Sequence, residues 1–112
     1  MPGKLKVLDY GMGWAKWSIM AKAFGLKVYG YDVLDSIKDF AKKNNISVFN
    51  NIADIKNHKF HFINIEEVIS YIPEPYELLQ VLSNSLEDGG IMYITTPNSS
   101  LAKSKLNTND WI

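Results

Sequence analysis

The chain has no cysteine, which removes disulfides and thiolate-bound metals from consideration and is compatible with a reducing compartment. It has no excess of charge. Twelve basic residues balance twelve acidic ones, and neither sign clusters, so nothing in the sequence would draw nucleic acid or an anionic membrane by its field. No apolar run approaches the roughly 20 residues needed to cross a bilayer. The opening, Met1-Pro-Gly-Lys-Leu-Lys6, leads straight into a short apolar segment and not into a secretory leader, so the expected location is cytoplasmic. Histidine is scarce too: His58 and His61 are the only two, and no carboxylate cluster or third ligand stands beside them to make a metal site. There is no internal repeat, low-complexity segment or linker.

What is present suffices for one small domain. In 112 residues, 46% are hydrophobic and 12% aromatic, enough for a real core. The apolar burst at residues 6–10 is stopped by Gly11-Met12-Gly13, as a buried strand running into a tight turn would be. A helical pattern follows, with Trp17, Met20, Ala21 and Phe24 as its stripe and Gly25 as its stop. Residues 26–31 read as a second strand ended by Asp32. Leu34, Ile37, Phe40 and Ala41 stripe a second helix, with Ser36 as its cap, Lys42 and Lys43 suiting its dipole, and Asn44-Asn45 breaking it. Residues 46–49 make a third strand, and residues 50–58 a polar connection with at most one helical turn. A fourth strand spans 60–65. The next helix begins near Pro73-Glu74-Pro75, is striped by Leu78, Leu79, Leu82 and Leu86, and ends at Asp88-Gly89-Gly90. Residues 91–96 form a fifth strand closed by Pro97-Asn98.

Strands that alternate with helices, on connections mostly too long for hairpins, predict parallel βαβ units. The expected fold is therefore α/β, a doubly wound sheet with helices on both faces. In such sheets ligands bind beyond the carboxyl ends of the strands, where strand order reverses. Gly11 and Gly13 lie in the first strand-to-helix turn, where absent side chains let a ligand approach the backbone; close helix-to-sheet packing is the other reading of that turn. Asp32, about 20 residues on, is placed to accept hydrogen bonds from both hydroxyls of a ribose, or to cap the following helix. A dinucleotide fingerprint would need glycine at position 16, where this chain has Lys16. Asp9 instead stands two positions before the first glycine, giving Asp9-x-Gly11-x-Gly13-x-Ala15.

With that motif the chain resembles the class I S-adenosylmethionine-dependent methyltransferases, whose first motif reads acidic-x-Gly-x-Gly-x-Gly. Tyr31-Asp32 is similar to the family's acidic end of the second strand. Phe60-His61-Phe62-Ile63-Asn64-Ile65 resembles its fourth strand, and Val68-Ile69-Ser70-Tyr71-Ile72-Pro73-Glu74-Pro75 parallels a segment that often reads Val-Leu-Glu-His-Val-Pro-Asp-Pro. Leu86-Glu87-Asp88-Gly89-Gly90 parallels Leu-Lys-Pro-Gly-Gly before the fifth strand. The resemblance covers nearly the whole chain, in order and at matching spacing.

The resemblance implies a Rossmann-like core over residues 1–98 that binds S-adenosylmethionine, with residues 99–112 starting a C-terminal part whose sixth and seventh strands are missing. It implies that Asp9, Gly11 and Gly13, with Tyr10 and Trp14 in the same turn, shape the pocket for the methionine end of the cofactor. Asp32 would hold the ribose and Val33 border the adenine; Asn51 and Ile52 would lie near the adenine amine, and Ile65 and Glu66 beside the methionine portion. Two departures stand out. Ala15 replaces the third glycine, and Trp14 sits where a small residue is usual, so either the turn is tighter or the Trp14 ring covers part of the pocket. Ser70-Tyr71 replaces a frequent Glu-His pair, which leaves Tyr71 as a substrate-side candidate and no catalytic acid or base assigned. Methyl transfer from a sulfonium is an in-line displacement on an already activated carbon, and positioning can provide much of the catalysis without an acid or base. The methyl acceptor is not legible. An open sheet edge or apolar face is expected to be covered by another copy. Two further readings stand beside this one: a non-catalytic nucleotide-binding or oligomerisation module, and a nicotinamide-dependent oxidoreductase, disfavoured by Lys16.

Overall fold

Short apolar segments become strands and the amphipathic stretches between them become helices. In the computed structural model, which describes residues 5–66 and 74–95, the elements in chain order are β1 (Lys6–Tyr10), α1 (Lys16–Ala23), β2 (Lys27–Tyr31), α2 (Asp35–Lys43), β3 (Ser47–Val48), α3 (Ile52–Ile55), β4 (Phe60–Glu66), α4 (Pro75–Ser83) and β5 (Leu86–Thr95). The strands form one sheet in the order β3-β2-β1-β4-β5, and every neighbouring pair is parallel. The chain moves outward from β1 to β3, then crosses back to lay β4 and β5 on the other side of β1. Strand order thus reverses between β1 and β4, in the doubly wound, Rossmann-like arrangement expected.

Side chains alternate across a strand, so β1 feeds two cores. Leu8 and Tyr10 face Ile63 and Ile65 of β4, Ile55 of α3 and Leu78 and Leu82 of α4. Val7 faces the other way, against Val28 of β2, Ala21 of α1 and Ile37 and Ala41 of α2. Helices therefore cover both faces. Full burial of an aliphatic side chain such as Leu8 or Ile63 stabilises by roughly 1.5–3 kcal/mol, which makes the central strand pair a firm base for the loops above it.

Of the three helix stops read from the sequence, those of α1 and α2 are realised, by the same device. After α1, the Gly25 amide donates to the Lys22 carbonyl and the Leu26 amide to the Ala21 carbonyl; after α2, Asn45 and Ile46 repeat the pattern on Lys42 and Ala41. Gly25 and Asn45 both take positive φ, the left-handed turn of a Schellman cap.

Four expectations are corrected. Ser36 lies inside α2, whose N-cap is Leu34. Met20 and Phe24 are exposed, Phe24 by 79%, because α1 turns Ser18 and Ala21 to the sheet instead. Leu34 is likewise exposed, and Ile37 and Ala41 carry the buried face of α2. Finally, α4 stops at Ser83 and Leu86 opens β5: the Phe60 amide donates to the Ser85 carbonyl at 2.7 Å and Leu86 pairs with Phe60, so Asp88-Gly89-Gly90 lies in an irregular strand and not at a helix end. Tyr71, Pro97-Asn98 and the boundary at residue 98 lie outside the described residues.

Candidate cofactor site at the strand-order reversal

The turn after β1 is fastened to the end of β2. Asp9 stands opposite Gly30 and Tyr10 opposite Tyr31, and the chain then bends so that the amides of Gly11 and Met12 both donate to the Tyr31 carbonyl, at 2.8 and 3.2 Å. Gly11 and Gly13 both have positive φ, which a residue with a Cβ adopts only at a cost. Ala15 adopts it nonetheless, with φ 62° and ψ 25°, so it occupies the third glycine's conformation at a cost on the order of 1 kcal/mol, and its methyl is fully buried.

Asp32 ties this turn to the next helix. Its Oδ2 accepts from the Gly13 amide at 3.1 Å and its Oδ1 from the Leu34 amide at 3.1 Å, leaving the residue 8% exposed. It does not cap α2 as a side chain. Each carboxylate oxygen retains acceptor capacity.

Asp9 is more deeply set, 2% exposed. Its Oδ2 accepts from the Ser18 hydroxyl of α1 at 2.7 Å, and its Oδ1 from the Asn64 side-chain amide of β4 at 3.2 Å. The same Asn64 nitrogen donates to Glu66 Oε1 at 3.3 Å. Burial pushes the Asp9 carboxyl up to about 6; the hydrogen bonds from Ser18 and Asn64 oppose the rise, and the negative charges of Glu66 and Asp32 add to it. At neutral pH the group is mostly ionised, a carboxylate held in a dry place at the reversal point.

A cleft of ≈ 260 Å³ opens there, lined by Asp9, Gly11, Gly13, Trp14, Lys16 and Glu66 together with Met12 and Trp17. A Cβ built on Gly13 would meet no atom within 4 Å, so the turn borders open space. Trp14 is 59% exposed, and its ring meets Phe40 of α2 edge-on at 5.4 Å, which braces it as an outer wall. Among the described residues, three larger hollows hold no such convergence of carboxylates: one of ≈ 460 Å³ beside α4, an apolar one of ≈ 400 Å³ bordered by Leu5, Trp17, Phe62 and Ile91, and one of ≈ 270 Å³ between Lys22, Lys27 and Asn45.

Of the residues singled out in the sequence, the structure gathers Asp9, Gly11, Gly13, Trp14 and Glu66 around one cleft and hangs Asp32 on its rim through Gly13. Others lie elsewhere. The ring of Tyr10 belongs to the core, stacked on Tyr31 at 5.2 Å, and the side chain of Ile65 is fully buried there. Val33 is exposed beside Asp32. Asn51 caps α3, accepting from the Asp54 amide at 3.2 Å, and Ile52 opens that helix. Sequence reasoning missed Ser18, Asn64, Lys16 and Trp17 as site residues. Asn64 had a signal, a polar side chain in the middle of the apolar strand Phe60–Glu66, and so had Ser18, one helical turn from Ala21 on the same face.

The chain matches, over residues 2–112, the family described as "Methyltransferase domain". It belongs to that family. A curated relative of this methyltransferase domain, the ubiquinone biosynthesis O-methyltransferase of Glaesserella parasuis serovar 5 (strain SH0165), is 29% identical over 83% of this chain and 45% of its own. Among solved structures, a SAM-dependent methyltransferase from Archaeoglobus fulgidus superposes with a TM-score of 0.77 at 21% identity, covering 87% of this chain and 47% of that one. The plantazolicin methyltransferase BpumL, solved in complex with SAH, superposes with a TM-score of 0.71 at 25% identity, covering 89% and 42%. The methyltransferase domain described here spans about half the length of these relatives.

Proposed function

We propose that this chain is the cofactor-binding portion of an S-adenosylmethionine-dependent methyltransferase, acting on an acceptor not yet assigned. The observation that carries the reading is the cleft at the reversal between β1 and β4, where a glycine turn, a rim carboxylate and a buried carboxylate converge in a member of the methyltransferase-domain family. The donor and acceptor set fits such a ligand. Asp32 offers acceptors to the ribose hydroxyls, Asp9 and Glu66 offer negative charge to the cationic end, and the Gly11–Gly13 turn leaves room for the chain that joins them. Val33, Asn51 and Ile52 border the adenine in this reading, with Tyr10 and Ile65 contributing backbone only. Tyr71 is the residue assigned to the acceptor side.

When bound, the cofactor supplies a methyl group on a sulfonium, already activated for in-line displacement. The chain's own residues then have to hold and orient: Asp32 sets the depth of the nucleoside, Trp14 keeps water from one side of the cleft, and the carboxylates fix the amino-acid end. The displacement at the methyl carbon itself is promoted by positioning.

Calorimetric titration with S-adenosylhomocysteine tests this. We expect saturable binding, weakened at least about tenfold by Asp32→Ala through loss of charge-assisted hydrogen bonds, and no binding of NAD, which the Lys16 side chain disfavours. A folded chain that binds NAD, or neither ligand, would overturn the reading. It extends to a cytoplasmic place and to self-association, since Ile91 and Tyr93 stand exposed on β5 where a second copy would cover them.

A further inference from the structure

Asn64 sits on β4 with 1% of its surface exposed, between two carboxylates that belong to different parts of the chain. Asp9 lies 55 residues away on β1, and Glu66 lies two residues on, at the end of β4. An ionised carboxylate accepts hydrogen bonds and donates none, so it is the Asn64 amide nitrogen that faces both, one hydrogen to each. Two like charges brought together across a strand pair repel unless a donor stands between them. Here one neutral side chain supplies that donor, and it does so at the boundary between β1 and β4, where the cleft opens.

We propose that Asn64 is a positioning residue that holds Asp9 and Glu66 as one cation-facing pair for the amino-acid end of the ligand. The proposal rests on the cofactor reading above and goes beyond it, since Asn64 itself does not line the cleft: it acts through the two carboxylates that do. Three observations converge. The bridge is closed on both sides by hydrogen bonds. Ser18 of α1 holds the other Asp9 oxygen at 2.7 Å, so the carboxylate plane has little freedom left. Among the charged groups facing Asp9 or sharing its cleft, Glu66 on β4 and Asp32 beyond β2 are acidic and Lys16 at the start of α1 is basic; on β5, Tyr93 stands in register with Asn64.

The bridge has a signature that a purely structural role would lack. A donor to a carboxylate favours its ionised form, and Asn64 is one of the two groups that restrain the upward shift of Asp9, while Glu66 is one of those that drive it. Removing the donor therefore raises the pH at which Asp9 loses its charge. Removing the Glu66 charge lowers it. The two substitutions must move the pH midpoint of cation binding in opposite directions.

The experiment titrates the chain with S-adenosylhomocysteine, and in parallel with 5′-methylthioadenosine, which lacks the amino-acid end, from roughly pH 5 to roughly pH 8.5. For Asn64→Ala we expect binding of the first ligand to fall about tenfold at neutral pH, with its pH midpoint displaced upward, while 5′-methylthioadenosine stays within about twofold of the parent. The isosteric Asn64→Asp, which replaces the donor with a third carboxylate, should displace the midpoint further upward and keeps the test open if the alanine variant does not fold. Glu66→Gln should also weaken S-adenosylhomocysteine and displace the midpoint downward. Equal losses for both ligands, or midpoints that do not move, would overturn the positioning role while leaving the cofactor reading intact. A folded parent that binds neither ligand overturns the cofactor reading, and the proposal falls with it.

Discussion

Asp9 enters the fold as an ionisable group in a dry place, and that placement costs stability. Its carboxyl is pushed by burial to about 6 from an ordinary 3.8, so between these values the folded chain keeps a proton that the unfolded chain has released. Stability accordingly falls as pH rises from about 4 to about 6, and above that the whole penalty, on the order of 3 kcal/mol, is present. Asp9→Asn removes the charge at the expense of one hydrogen bond, and should stabilise the chain by about 1–2 kcal/mol at neutral pH. Urea unfolding of parent and variant at a series of pH values checks this: the gain should vanish toward pH 4. A difference that does not vary with pH would refute it. His58 acts in the opposite sense: burial and the nearby Lys6 and Lys27 hold its value below the ordinary 6.5, so as pH falls below about 6.5 the unfolded chain takes up a proton that the folded chain does not, and stability declines. It is present in both proteins and cancels from their difference. The same Asp9 was legible in the sequence as part of a motif, but its burial was not, because Ser18 and Asn64 reach it from two other elements.

The C-terminal ends of α1 and α2 were legible in the sequence; the buried faces of both helices were less so. Gly25 and Asn45 end α1 and α2 by a local conformational preference, which needs no knowledge of the rest of the chain. Gly25 carries φ +90°, and a Cβ added there would meet nothing within 4 Å. Gly25→Ala should therefore destabilise by about 1–2 kcal/mol through backbone conformation alone, visible as a lower urea midpoint with an unchanged slope; an unchanged midpoint would mean that the cap relaxes freely. The stripe of α1 misled for a different reason. Trp17, Met20, Ala21 and Phe24 share helical spacing, but so do Ser18 and Ala21, and the sheet beneath selects the second pair because Asp9 needs the Ser18 hydroxyl. In the same way Leu86 fits the α4 stripe and still faces the same core from β5; spacing names the face, and hydrogen bonding to Phe60 decides the element.

At the scale of the whole molecule, the helices among the described residues cover the two faces of the sheet unequally. On the side of α1 and α2, the sheet beyond β1 carries Phe62 and an Ile91 that is 61% exposed, with Leu5 and Trp17 bordering the same apolar hollow of ≈ 400 Å³. Exposed apolar surface of this kind favours association, and no net charge opposes it. We expect sedimentation velocity to show a concentration-dependent dimer that Ile91→Lys returns to monomer. A strict monomer at high concentration would count against self-association.

The sequence by itself determined the alternation of strand and helix, the glycine turn after β1, the acid that ends β2 and the stops of α1 and α2. Each of these is written in residues close together in the chain, where backbone preference and spacing act directly. The tertiary structure alone decided that Asn64 stands between Asp9 and Glu66, that Ser18 closes the far side of Asp9, that Trp14 leans on Phe40, and that Tyr10 and Ile65 turn into the core. Those outcomes depend on which strands become neighbours and on which face each side chain lands, and a parallel sheet whose order reverses brings together residues that no local pattern links.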